Sequence, residues 1–468
     1  MDRTAAFADA TPLSFWLDDP GAPEPAAPLV GPTRADLVVV GGGYTGLWAA
    51  LLAKSEDPSR DVVVMEGDRC GWAASGRNGG FCAASLTHGL ANGVERFPDE
   101  VGLLERLGRE NLDAIETTVA AEGIDCDFER TGELDVATEP HQVTALRGAE
   151  SLAREHGAHP IYLDGDELRS EIHSPIYLAG LWEPDSCALV NPARLAWGLR
   201  AACERAGVRI HEHTRVEGLA PAGPGAGAAM VVATTHGQVS APRVVLATNA
   251  APSPVKRLRK YIVPVYDYVL MTEPLRASQS GALGWKRRQG IGTTGNQFLY
   301  YRRTADDRIL FGGYDAVYHY GSSMGAALEQ RPATFEVLST HFARTFPMLE
   351  DVRFSHAWAG AIDTCSRFCA FFDRSFDGRV ASAAGYTGLG VGASRFGARV
   401  ALDLVSGVET DLTRLRFVRS KPIPFPPEPV RAIGINLTRW SMARSDANDG
   451  KRNLWLRALD AVGLGFDS

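Results

Sequence analysis

Apolar residues cluster unevenly along this chain, and their spacing predicts its elements. Residues 35–40 (ADLVVV) form a continuous apolar run of strand length, as in the centre of a parallel sheet. Residues 44–55 then read as a helix and 61–65 (DVVVM) as a second buried strand. Together they make a strand–helix–strand unit. Helical spacing returns at 99–122 and at 191–207, the latter with Pro192 in its first turn. Strand-like pieces stand at 131–137, 209–213, 216–219, 230–235 and 239–245, and 221–229 (PAGPGAGAA) reads as a turn. A β-rich stretch includes 262–271 and 298–313, and 385–407 runs from a Gly-rich turn into a helix. The flanks differ in kind. Residues 1–34 are a Pro/Ala-rich extended lead-in that Phe15 and Trp16 could anchor. The stretch from 410 is Pro-rich and ends in an amphipathic helix at 453–462.

Composition narrows the class. At roughly 100–200 residues per domain, 468 residues predict two to four domains. The net charge of -8 argues against an electrostatic nucleic-acid binder, and the short basic runs at 256–260 and 286–288 read as solvated faces. The seven cysteines are odd in number, irregularly spaced and without C-x-x-C, so neither a metal site nor a disulfide framework is expected. Reduced thiols and the lack of a secretory leader fit a cytoplasmic protein. The apolar window 35–53 contains an Asp and four Gly, which suits a strand and a helix better than a membrane span.

The strongest motif is Gly41-Gly42-Gly43-Tyr44-Thr45-Gly46, a G-x-G-x-x-G that follows a strand and opens a helix. Gly41 makes the tight turn, Gly43 admits a pyrophosphate close to the backbone, and Gly46 lets helix and strand pack. The helix N-terminus offers free N–H groups to phosphate. Glu66 stands twenty residues past Gly46, at the end of the second strand, where an acid can bind ribose hydroxyls. This identifies a dinucleotide without choosing NAD or FAD. The small-residue stretch 71–80, with Ser75, Arg77, Asn78 and Gly79, favours a longer ligand lying across exposed backbone donors.

At these residues the chain resembles the D-amino-acid oxidase superfamily of FAD-dependent oxidoreductases, and SGRNGG is most similar to its gamma-glutamylputrescine oxidase-like members. Further elements follow in family order: Val216 for the adenine, Thr248 and Asn249 in a second FAD-contact turn, Gly360 in a W-x-G turn, and Gly388, Leu389, Gly390 and Val391 in a C-terminal flavin turn. The resemblance implies an α/β fold, a Rossmann-like FAD-binding domain interleaved with an antiparallel-sheet (α+β) substrate domain. It places 35–95, 191–255 and 350–409 in the FAD domain, 96–190 and 256–349 in the substrate domain, and 410–468 in a C-terminal extension. A helix following the last turn would direct its dipole at the anion of reduced flavin.

The same resemblance implies oxidation of a C–N bond by hydride transfer to flavin, giving an imine that water hydrolyses, with oxygen as the expected acceptor. A dehydrogenase that passes electrons to a quinone or a protein is the alternative. A small amine is the expected substrate. Where amino-acid-oxidising members carry G-x-R-P, this chain has 360–365 (GAIDTC), and Asp363 there would favour a cation. Other candidates are weaker. Tyr300 and Arg302 share a strand face that could line a site or simply pack, and Tyr266 and Tyr268 raise the same question. His356 could be a base or a structural histidine. The position of the family's flavin-linking cysteine falls on Ala361, so non-covalent FAD is expected.

Overall fold

The computed structural model describes residues 3–223, 229–461 and 463–465. Most of the turn expected at 221–229, and Val462 of the expected last helix, lie outside the described residues. A six-stranded sheet runs in the order Phe371–Ser375, Val380–Ala384, Arg243–Leu246, Leu37–Val40, Val62–Met65 and Arg209–His211. All neighbours are parallel except the antiparallel edge strand Phe371–Ser375. The strands read as unbroken apolar runs because both faces are covered. Leu37, Val39, Val62 and Val64 pack into one core with helices Tyr44–Glu56, Pro192–Arg205 and Gly390–Ser406. Val38, Val40, Val63 and Met65 point the other way, against a small sheet that includes Met230–Thr234 and Gly237–Ala241.

A nine-stranded sheet forms the second body. Its long strand Val263–Thr272 pairs antiparallel with Phe354–Thr364 on one side and with Ile309–Gly313 on the other. Leu299–Arg303 lies next along. The division at 350 would put Phe354–Thr364 with the dinucleotide region, yet this strand belongs to the large sheet, into which both its ends are registered. One face of that sheet buries Tyr268, Tyr301 and Phe311 against helix Pro332–Thr345. The opposite face carries Val269, Met271, Leu310 and Trp358 against Trp16 and Ala193. The two bodies therefore meet across the second face.

The lead-in is ordered by specific bonds. Thr11 exchanges backbone hydrogen bonds with Ser355 and Ala357 at 2.8 and 3.0 Å. The Ser14 hydroxyl donates to the Gly76 carbonyl at 2.9 Å, and the Trp16 indole donates to that of Asn78 at 3.0 Å. Beyond residue 410, besides the expected terminal helix Leu454–Ala461, a helix Val430–Asp446 forms that the sequence pattern did not suggest. Among the described residues no helix is long and apolar enough to cross a membrane.

Candidate cofactor and active site

The first glycine corner is fixed by backbone crowding. Gly41 has φ +113°, and a Cβ there would lie 2.4 Å from the Ala247 carbonyl oxygen. A Cβ on Gly46 would fall 1.8 Å from the carbonyl oxygen of Gly41. Glu66 bends over this corner, accepting the N–H of Gly42 at 2.6 Å and that of Asp68 at 2.9 Å. Burial pushes its carboxyl up from the usual range, and those two N–H bonds oppose the shift. Thr214 donates its N–H to the Glu66 carbonyl at 2.7 Å, which brings Val216 close by. Thr248 and Asn249 follow Ala247, whose N–H bonds the Val40 carbonyl at 2.8 Å, and Asn249 takes φ +49° to turn the chain.

The helix that starts at Tyr44 has no side-chain cap of its own. Ser75 reaches in instead, accepting the Tyr44 N–H at 3.0 Å. The side chains of Tyr44 and Thr45 turn inward: the phenol donates to the Pro192 carbonyl at 2.7 Å, and the Thr45 hydroxyl to the Tyr386 hydroxyl at 2.9 Å. Neither side chain is therefore turned toward a dinucleotide, and the Tyr44 N–H is held by Ser75. Asn78 folds its own loop, donating to the carbonyls of Ala74 and Ser75 and accepting the Gly80 N–H at 2.8 Å. Arg77 donates to the Trp72 carbonyl at 2.9 Å and forms an ion pair with Glu329. Its own carbonyl accepts the Trp358 indole N–H at 2.9 Å. This bond fixes the 77–80 loop to the W-x-G strand beside Gly360.

The second glycine corner is organised differently. Thr387 and Gly388 both have positive φ, +51° and +97°. Among the described residues, chain neighbours and nearby helix backbone aside, no atom lies within 4 Å of a Cβ placed on Gly388, and the Tyr386 Cβ, at 3.9 Å, is what approaches one on Gly390. Leu389, at the N-cap of helix Gly390–Ser406, contributes no side-chain bond, and Val391 is buried behind it. Open space thus lies beside the start of this helix, and a helix N-terminus suits negative charge.

Four further residues were candidates for chemistry. Asp363 does not face a substrate. Its carboxyl is 2% exposed and accepts the Gly385 N–H at 2.6 Å, with burial pushing it up to about 7. It is a brace of the second corner. Arg302 is also buried, donating to the Val190 carbonyl at 2.6 Å with its guanidinium over Trp16. His356 engages the lead-in, with Nε2 3.1 Å from Asp18 and its ring edge-on to Phe15. Tyr300 also stands on the face between the bodies, beside the 77–80 loop. Its ring crowds Gly79, where a Cβ would come within 2.7 Å, and meets Phe81 edge-on at 5.7 Å. Its hydroxyl donates to Asp267. Sequence reasoning missed Asp267. The signal was a lone acid inside the otherwise apolar and aromatic strand VPVYDYVLMT.

FAD fits these residues on two grounds. The crowded corner with Glu66 suits an unphosphorylated ribose and pyrophosphate. The second helix terminus, where a Cβ would fill accessible space, suits an electron-accepting ring. Known proteins agree. Residues 36–404 match the family model "DAO: FAD dependent oxidoreductase". The chain is 32% identical to the gamma-glutamylputrescine oxidoreductase of Escherichia coli over 401 residues, covering 84% of this chain and 88% of that protein. A probable oxidoreductase OrdL of Haemophilus influenzae is 27% identical over 86% of this chain and 89% of its own length. The crystal structure of glycine oxidase from Geobacillus kaustophilus superposes with a TM-score of 0.68 at 21% identity, covering 83% of this chain and 99% of that one. The chain belongs to the DAO family and is an FAD-dependent oxidoreductase.

Proposed function

We propose that this enzyme oxidises a C–N bond of a small amine or amino-acid-derived substrate to an imine, which water then hydrolyses, with oxygen as the electron acceptor. Bound FAD supplies the hydride acceptor. The chain's own residues would do the rest. The 41–46 corner, Glu66, Ser75 and residues 247–249 would hold the ADP half, and Gly360 with residues 388–391 would hold the flavin. The second helix terminus would stabilise the charge that accumulates on reduction. The similarity to a gamma-glutamylputrescine oxidoreductase supports an amine, as does the lack of an arginine at 360–365 to clamp an α-carboxylate.

The observation that carries this reading is the second corner, whose glycines leave open space beside a helix N-terminus. The cysteines support non-covalent FAD. Cys365 is fully buried and donates its S–H to the carbonyls of Cys369 and Gly385, and burial pushes the Cys369 thiol up to about 12. Neither would present a thiolate to flavin. Anaerobic titration with polyamines, gamma-glutamyl amines and N-methyl amino acids tests the substrate class. At least one should bleach the flavin absorbance and release peroxide on admission of air. A protein that no amine bleaches would overturn the proposal.

A further inference from the structure

The face of the large sheet toward the 77–80 loop carries Asp267, bonded to Tyr300, and on strands farther across the same face Glu133, Asp135 and Glu183. Antiparallel register sets Asp267 directly across from Gly360, so its side chain leaves the sheet on the face where Gly360 has none. A Cβ on Gly360 would sit 3.4 Å from the Arg77 Cβ, which places the loop directly over this pair of residues. From the other side Tyr300 spans Gly312, whose Cβ would lie 2.7 Å from its hydroxyl, to reach the carboxylate. Asp267 is thus flanked by the 77–80 loop and by the W-x-G strand, whose Gly360 would hold flavin in the proposed reading. It remains partly accessible.

We infer that Asp267, oriented by Tyr300, is the catalytic base that takes a proton from the substrate ammonium before hydride leaves carbon. This rests on the amine-oxidase reading above. The need is general: an alkylammonium has a pKa of about 10, and its nitrogen lone pair must be free to stabilise the departing hydride's carbon. One N–H bond breaks, one O–H bond forms on Oδ of Asp267, and the substrate becomes a neutral amine. No oxidant is consumed in this step. Hydride loss from the neutral amine then leaves a protonated imine.

The environment suits that task. Burial pushes the Asp267 carboxyl up to about 6, while the Tyr300 hydroxyl and the backbone N–H groups of Tyr268 and Gly313 pull it down. Tyr300 itself stays protonated, because burial and the adjacent carboxylate both raise its pKa. The other charged groups on this face are Arg77, paired with Glu329, Arg302, which donates to the Val190 carbonyl at 2.6 Å, and, on strands farther across, Glu133, Asp135 and Glu183. A base of this kind is active above its own pKa, so flavin reduction should rise with pH through about 6.

The test is anaerobic stopped-flow reduction of the holoenzyme across pH, with an amine that bleaches it. Asp267→Asn should slow reduction at pH 7 by at least about 100-fold. It should also replace the limb near pH 6 with a rate that climbs toward the amine's own pKa. Tyr300→Phe removes a bond that lowers the Asp267 pKa, so its limb should move to higher pH; this variant decides the matter if Asp267→Asn fails to fold. A third readout needs no turnover. A tertiary-carbon ammonium, which has no hydrogen to lose, should perturb the flavin spectrum with at least tenfold weaker affinity in Asp267→Asn. Variants that keep the wild-type limb, rate and affinity overturn the assignment alone. A wild type that no amine reduces overturns the proposed function and this assignment with it.

Discussion

The two glycine corners look alike in sequence and are constrained in opposite ways. At the first, protein crowds protein: the Gly46 Cβ position lies 1.8 Å from one backbone carbonyl and that of Gly41 lies 2.4 Å from another. At the second, Gly388 and Gly390 have almost no protein neighbours on their missing side chains. Glycine in the first corner is required by the fold itself. In the proposed reading, glycine at 390 is required by the flavin it would meet. The corners are also coupled, because the Thr45 hydroxyl donates to that of Tyr386 and their helices Tyr44–Glu56 and Gly390–Ser406 share a core.

Two substitutions sharpen this contrast. Gly46→Ala should have the largest effect. The obstructing atom is a backbone oxygen that no rotamer change can move, so the cost exceeds the roughly 1–3 kcal/mol of ordinary overpacking. Soluble FAD-loaded protein should be almost lost, read from yield and thermal unfolding. Recovery of wild-type melting would show that the corner can relax. Gly390→Ala should do the reverse. It adds a methyl at a helical φ, where Ala is favoured over Gly by about 0.5–1 kcal/mol, so apoprotein melting should hold or rise. FAD affinity, followed by flavin fluorescence, should fall at least tenfold, or about 1.4 kcal/mol. Unchanged affinity would mean that the second corner faces solvent and not cofactor.

The first corner was legible in sequence because its causes are local. A strand buried on both faces must be a continuous apolar run, and the glycines and Glu66 stand at spacings set by the backbone. The face between the bodies was not legible, because its chemistry depends on register. Nothing near Asp267 in the chain says that it lies across from Gly360 or that Tyr300 reaches it over Gly312. Arg302 was read beside Tyr300 on alternation, which is correct, yet its guanidinium ends on the Val190 carbonyl and under Trp16 from the lead-in. The helix Val430–Asp446 escaped notice because Val430, Ile433 and Trp440 are exposed, so their spacing marks no core.

Asp363 shows the limit most clearly, and it offers the smallest measurable break in the comparison. Its charge suggested a cation partner, but its partners are backbone N–H groups of the second corner. A carboxylate among such donors can be held ionised, yet here burial outweighs them and the folded pKa rises from the ordinary 3.8 to about 7. The sign follows from linkage. The folded state binds the proton more tightly than the unfolded chain, so this group costs the fold progressively more as pH rises from about 4 to 7, and a constant amount above. Asp363→Asn keeps an oxygen for the Gly385 N–H and removes the ionisation. The melting temperature of the Asn variant minus that of wild type, both as apoprotein, should therefore increase between pH 5 and pH 8. Other titrating groups cancel in the difference. A difference that stayed flat or fell with pH would mean that the N–H groups, and not burial, govern the second corner, making it a preformed anion site even without its cofactor.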